Sequence, residues 1–173
     1  MELKLFLSSF TFKTLINYKQ LRPDSEMNIL LSFGTRKLDY EDMVITHRNM
    51  INSLICDSGA YTKNNAQDKK TAAKISLDGY ISFLRQPLIR NSFDFAFNYD
   101  QDFKKTGFET NYRNMKKIEQ NVISVVPVVH DYKAQIINEI DYYLKNKYPI
   151  IALGFSEDKI KDILNEYVKK EHP

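Results

Sequence analysis

Short apolar runs alternate with longer amphipathic stretches along the whole chain. The runs cover residues 3–7, 28–33, 53–56, 93–99, 123–129 and 150–153. Each has the length of a strand, and their Val, Ile, Leu and Phe content suits extended backbone. The last two are almost continuously apolar, the pattern of strands covered on both faces in a parallel sheet. Between the runs, apolar residues return at helical spacing. Residues 76–86 align Leu77, Tyr80, Ile81 and Leu84, and Pro87 is expected to end that helix. Residues 109–120 align Tyr112, Met115 and Ile118, residues 133–145 align Ile136, Ile137, Ile140 and Leu144, and residues 157–169 align Ile160, Ile163, Leu164 and Tyr167. Residues 11–19 and 40–51 carry a weaker version of the pattern.

Six strand–helix units of about 25–40 residues predict one α/β domain over residues 1–173, built on a parallel sheet. Such a sheet is either open and doubly wound or curved as an incomplete barrel, since a closed eight-stranded barrel needs about 200 residues or more. Both architectures gather ligands at the carboxyl ends of their strands. The residues that follow the apolar runs are therefore the ones to read for chemistry.

Those residues are polar after four successive runs. Asp57, Ser58 and Gly59 follow the third run, Asp100 the fourth, His130 the fifth and Gly154 the sixth. The Asp57 carboxylate suits two hydrogen bonds to a flat base edge, or a general base. Gly59 would let backbone approach a planar ligand. Asp100 is favoured over Asp102 by register, and beside Asp57 it would make a carboxylate pair in which one proton is held more tightly. Each residue taken singly also fits an ordinary turn or cap, because Asp, Ser and Gly are common there. Their joint placement favours a site. His47 and His172 attract no functional reading.

Composition narrows the field. The 173 residues carry 25 basic and 22 acidic side chains, a formal charge of +3, which permits a polyanionic partner without demanding one. The single cysteine, Cys56, excludes an intrachain disulfide, and no Cys/His spacing suits zinc, so neither metal nor cofactor is expected. No apolar run approaches the roughly 18 residues of a membrane span, and residues 1–12 lack a signal-peptide core, so a cytoplasmic protein is expected. Walker A, GxGxxG, GxSxG and HExxH patterns are all absent.

The segments Asn28-Ile29-Leu30-Leu31-Ser32-Phe33, Leu54-Ile55-Cys56-Asp57-Ser58-Gly59-Ala60-Tyr61, Ile75-Ser76-Leu77-Asp78-Gly79-Tyr80-Ile81-Ser82-Phe83, Phe97-Asn98-Tyr99-Asp100, Thr110-Asn111-Tyr112-Arg113-Asn114, Val126-Pro127-Val128-Val129-His130 and Ile151-Ala152-Leu153-Gly154 occur in an order that resembles the tRNA-guanine (queuine) transglycosylase superfamily. The likeness is to its compact phage and mobile-element members related to DNA deazaguanine transglycosylases, and it covers about residues 28–156. The Asp-Ser-Gly-Ala segment, with Tyr61 in the aromatic place, is its most specific part. The resemblance implies a TIM-barrel-like, incomplete barrel of about six strands. It implies recognition of guanine or 7-deazaguanine in tRNA or DNA, and a glycosyltransferase that exchanges the base. On that likeness Asp57 assists proton transfer to the base, Asp100 holds its Watson–Crick edge, and Ser58, Gly59, His130 and Gly154 line the pocket. The family's nucleophilic aspartate and zinc site have no match here, and Phe155 stands where the family has a second glycine. A homo-oligomer or a partner subunit supplying the nucleophile is therefore expected. The alternatives are a non-catalytic base- or nucleic-acid-binding subunit and an unrelated small-molecule α/β enzyme using Asp57 and His130.

Overall fold

A computed structural model describes residues 6–8, 11–35, 46–67, 69–101, 107–121, 124–130, 136–154 and 157–171. Its strands are β1 (Asn28–Ser32), β2 (Ser53–Asp57), β3 (Phe95–Phe97), β4 (Val125–Val126), β5 (Val128–Val129) and β6 (Ala152–Leu153). All pairings are parallel. Ser32 lies opposite Asp57, Cys56 opposite Ala96, Phe97 opposite Val126, and Val129 opposite Leu153.

The fifth apolar run is one extended segment divided at Pro127. Its first half pairs with β3 and its second half with β6. Proline has no N–H for the ladder, so the pairing switches sides there. The Pro127 carbonyl still accepts from Ala152 N–H at 2.9 Å. At the other edge, Leu7 forms a parallel bridge with Ile29, and residues 3–5 of that expected strand lie outside the described residues. Spatial neighbours thus follow chain order from Leu7 to β6, with no reversal among the described residues. The chain is α/β with parallel strands, as its alternating pattern predicts.

The helices are α1 (Phe12–Leu21), α2 (Ala60–Asn65), α3 (Lys69–Lys74), α4 (Leu77–Leu84), α5 (Pro87–Arg90), α6 (Gly107–Glu119), α7 (Ile136–Lys145) and α8 (Glu157–Glu171). Among the described residues, side chains start two of them. Thr11 Oγ1 accepts from Thr14 N–H at 3.2 Å, and Ser76 Oγ from Gly79 N–H at 3.1 Å, each satisfying an amide with no intrahelical partner. Pro87 follows α4 but also opens α5, occupying the first turn where its missing N–H is not needed. Of the expected helix at 40–51, residues 40–45 lie outside the described residues; Thr46 is helical and Arg48–Met50 forms a 3-10 turn. Residues 123 and 133–135 also lie outside.

Packing corrects one residue on each of two helix faces. On α7 the buried side chains include Glu139, Ile140 and Tyr143, whereas Leu144 is 51% exposed. On α8 Ile163 is buried and Leu164 exposed. Ile140 and Ile163 face inward as expected, whereas Leu144 and Leu164 do not; on α7 the inward side includes Glu139 and Tyr143, whose polar atoms hide them from an apolar pattern. The core centres on Leu15, Ile29, Leu54, Tyr80, Met115 and Ile118, each fully buried, and such side chains contribute about 1.5–3 kcal/mol apiece. At the amino ends of β2 and β3, the Asp94 carboxylate accepts from Arg48 Nη2 at 2.8 Å, Ser53 Oγ at 2.7 Å and Leu54 N–H at 3.0 Å. Among the described residues no helix is long and apolar enough to cross a membrane.

Helix α7 ends with Lys147 at φ 60, where Lys147 N–H reaches Leu144 O and Tyr148 N–H reaches Tyr143 O. This closure normally uses glycine, since a Cβ in the left-handed region costs about 1–2 kcal/mol. Glycine loses more chain entropy on folding, so Lys147→Gly is expected to gain a net ~0.5–1 kcal/mol. Thermal unfolding followed by circular dichroism should then show Tm rising by about 2–3 °C. An unchanged or lower Tm would show that the lysine is not strained.

Candidate functional site

The loop leaving β2 is shaped by its own short side chains. Asp57 Oδ2 accepts from Gly59 N–H at 3.1 Å, and Ser58 Oγ from Ala60 N–H at 3.4 Å, turning the strand into α2. Gly59 sits at φ 74, and a Cβ built on it would stand 2.4 Å from both the Cα and the N of Gly34. That crossing of two loops admits no side chain. Gly59 therefore lies against the 3-10 turn Phe33–Thr35, not on the wall of the cavity described next.

Past β3 the chain carries Asn98, Tyr99 and Asp100, all buried. The Asp100 carboxylate, 3% exposed as a residue, accepts from Asn98 Nδ2 at 2.6 Å and pairs with His130 Nε2 at 3.0 Å. Helix α6 fixes this segment from behind. Asn98 Nδ2 also donates to Asn111 O, Gln101 N–H to Asn111 Oδ1, and Asn114 Nδ2 to Tyr99 O, each at 3.0 Å. The Tyr99 hydroxyl donates to Ile75 O and accepts from Lys63 Nζ, both at 2.9 Å. Tyr80 places its hydroxyl between Cys56 O at 3.3 Å and Phe97 O at 3.0 Å, tying the ends of β2 and β3 together.

His130 ends β5, and Gly154 ends β6 beside it. A Cβ on Gly154 would lie 2.8 Å from His130 Nδ1, so glycine there gives the imidazole its room. Asp57, Ser58, Asp100, His130 and Gly154 all line one cavity of about 650 Å³, with Phe97, Val128 and Leu153 as apolar wall and Tyr61 at its mouth. Five of the six residues read from the strand ends share this space, and Gly59 supports it from outside. Asp102 and His172 lie outside the described residues, and His47 precedes the 3-10 turn at Arg48–Met50.

A second cavity, about 640 Å³, opens at the amino ends of the strands. Lys116 there is engaged by Glu119 and by the Tyr148 hydroxyl, each at 2.8 Å. Together with the Asp94 cluster, this places two ion pairs at the amino ends among the described residues. At the carboxyl ends Asp57, Asp100 and His130 line the other cavity.

The sequence pattern did not single out Asn98, Asn111, Asn114 or Glu139 as site residues. Asn111 and Asn114 are three apart on α6 and share its buried side with Met115 and Ile118, so a polar pair within an apolar face was the available signal. Glu139 is 5% exposed, and its Oε1 has no hydrogen-bond partner among the described residues. Among the described residues no group of three or more His, Cys, Asp or Glu is placed to hold a metal ion. The chain matches no family model, no curated protein and no solved structure.

Burial pushes the Asp100 carboxyl above its usual range, and the charge of Asp57 adds to this, while His130 and Asn98 pull it down. Burial also lifts Glu139 from 4.5 to about 8, with the charge of Asp100 contributing. Between those two values the folded protein keeps the Glu139 proton and the unfolded chain releases it. Stability therefore falls as pH rises through about 4.5–8 and levels off above. Glu139→Gln should flatten that decline and leave the variant more stable near pH 8 by ~1–3 kcal/mol, read by urea unfolding. Parallel declines in both proteins would remove Glu139 as their source.

Proposed function

We propose that this chain recognises guanine or a 7-deazaguanine of nucleic acid at the carboxyl ends of its strands, as a transglycosylase-like protein. One observation carries the reading: four strand ends deliver Asp57, Ser58, Asp100, His130 and Gly154 to one cavity. Its volume, about 650 Å³, lies within the range of small-molecule sites. A carboxylate has about four acceptor positions, and Asn98 and His130 use two of those on Asp100. The remaining ones suit the paired N–H donors on a guanine edge, whereas adenine offers a donor beside an acceptor. Phe97, Val128 and Leu153 supply apolar surface for the ring.

The winding supports the fold half of the reading. Strand neighbours that follow chain order are the mark of barrel-type sheets, whereas doubly wound sheets reverse direction. We infer a TIM-barrel-like, incomplete barrel of about six strands. Base exchange would proceed by attack of a carboxylate on the ribose C1′, with the glycosidic bond breaking and Asp57 passing a proton to the departing base. The incoming base would return a proton to Asp57 as it displaces the carboxylate. Asp57 and Asp100 are both already hydrogen-bonded within the chain, which favours base handling over covalent attack by either. The nucleophile is then assigned to a partner subunit, and a non-catalytic base-binding subunit is the second reading the same bonds favour.

Calorimetric titration with guanine, 7-deazaguanine and adenine tests this. Guanine-type bases should bind in preference to adenine. Asp100→Asn should weaken them at least tenfold, consistent with about 1.5–3 kcal/mol for a hydrogen bond to a charged group. Gly154→Ala should weaken them as well, by displacing His130. Equal affinity for adenine, or no binding to folded wild-type protein, would sink the proposal.

A further inference from the structure

We propose that the cavity at the amino ends of the strands is a second ligand site, built for a small carboxylate with an apolar body. It is independent of the base site, which lies at the opposite ends of the strands. Charge selects the sign of the ligand. The charged groups of its lining, among the described residues, are Asp94, Lys116, Glu119 and Lys147. Asp94 pairs with Arg48 and Lys116 with Glu119, each at 2.8 Å. Those two pairs cancel. The Lys147 ammonium is left over, on an exposed residue and without a partner among the described residues. One uncompensated positive charge beside a concave space favours one negative charge within it.

The backbone marks the same residue. Lys147 sits at φ 60, where a side chain costs stability and glycine does not. Strained positions of this kind gather at ligand clamps, where the side chain they hold is put to use. The Ser124 hydroxyl, just before β4, lines the same cavity and has no partner among the described residues, so a second element adds a donor. An ammonium and a hydroxyl match the two oxygens of a carboxylate. Phosphate is met more often by arginine forks, several lysines or a helix N-terminus. Among the described lining residues there is no arginine, and the other lysine is paired. Apolar surface supplies the rest of the site. Phe95 and Tyr148 are half-buried, Pro149 is exposed, and Ile150 is 47% exposed, with buried Val125 and Val126 completing the wall. A ring or branched chain laid there would leave water along with these side chains, a gain that an inorganic anion lacks. The volume, about 640 Å³, is that of a small-molecule site.

Amide-resolved NMR titration with phenylacetate, phenylacetamide and inorganic phosphate tests this, since the amides that shift locate the ligand. Phenylacetate should move the amides of Ser124, Val125, Lys147, Tyr148 and Ile150 along one saturable curve, with Kd in about the millimolar range for a ligand of this size. Phenylacetamide has the same body without the charge. It should bind about threefold to fivefold more weakly, the scale of an exposed ion pair. Phosphate should leave these amides in place over the same concentrations. Lys147→Gln should bring phenylacetate down to the affinity of the amide and leave phenylacetamide unchanged. Lys147→Gly should weaken phenylacetate to the same extent in a protein that unfolds at higher temperature. Lys145→Gln removes an exposed lysine outside the lining and should leave both affinities as they are in wild type.

Equal affinity of wild type for the acid and its amide overturns the proposal, as does a Lys147→Gln affinity equal to that of wild type. Phosphate bound as tightly as phenylacetate overturns the carboxylate assignment. Shifts confined to Ser58, Tyr61, Asn98 and His130 put the acid in the other cavity and overturn the proposal too, as does the absence of any shift in folded wild-type protein. Guanine enters none of these arms, so this site and the base site stand or fall separately.

Discussion

A carboxyl group taken out of water must find donors or keep its proton, and the segment after β3 is built around that requirement. Asp100 is 3% exposed, and each of its oxygens has a partner, Asn98 on one and His130 on the other. A buried polar group left unpaired costs about 1–3 kcal/mol, and a buried charge more, so these partners are not interchangeable with apolar residues. Each partner makes its own demand. Asn98 must also reach the Asn111 carbonyl, which fixes α6 against the rim, and His130 needs the space that Gly154 leaves. One desolvated acid thus ties β3, β5, β6 and α6 into a single arrangement.

Parallel strands make the two ends of the sheet chemically unequal. At the amino ends, Asp94 is met by Arg48, Ser53 and the Leu54 amide, and Lys116 by Glu119 and Tyr148. These groups answer one another and leave little to offer a ligand. At the carboxyl ends the polar side chains come from different strands and converge on a cavity. Glycines maintain that end by what they exclude. Gly59 lets its loop cross Gly34, and Gly154 lets the imidazole stand upright against β6. A methyl group at either place would collide with backbone or ring, so the cavity depends on two missing side chains as much as on the acids.

How much of this could be read from the chain varies with how local the cause is. The strands were legible because buried parallel strands are apolar on both faces, and their polar ends were legible because Asp57, Asp100, His130 and Gly154 each follow such a run directly. Helices α2 and α3 escaped notice. They are short, rich in lysine and asparagine, and lack an apolar period. The division of one run into β4 and β5 depends on which neighbours Pro127 faces, and proline alone does not reveal that. Gly59 was read as making room for a ligand, whereas its neighbour is Gly34, a contact set by the packing of two loops distant in sequence. Asn111 and Asn114 were hidden because a polar residue on an apolar helix face has many explanations until its partner is known.

The same logic bears on Glu139, the acid for which a local reading had no place. It lies on the buried side of α7 with one oxygen unpartnered among the described residues, where an apolar side chain of similar volume would pack without an electrostatic cost. Asp57 raises Asp100, and Asp100 raises Glu139, so each acid makes the next harder to ionise. At neutral pH such a group retains a proton that an exposed acid would have released. Glu139 does not line the cavity, so its proton bears on the rim through the charge of Asp100. The acids that make this rim less stable than an apolar one are thus the same groups that give it a chemistry.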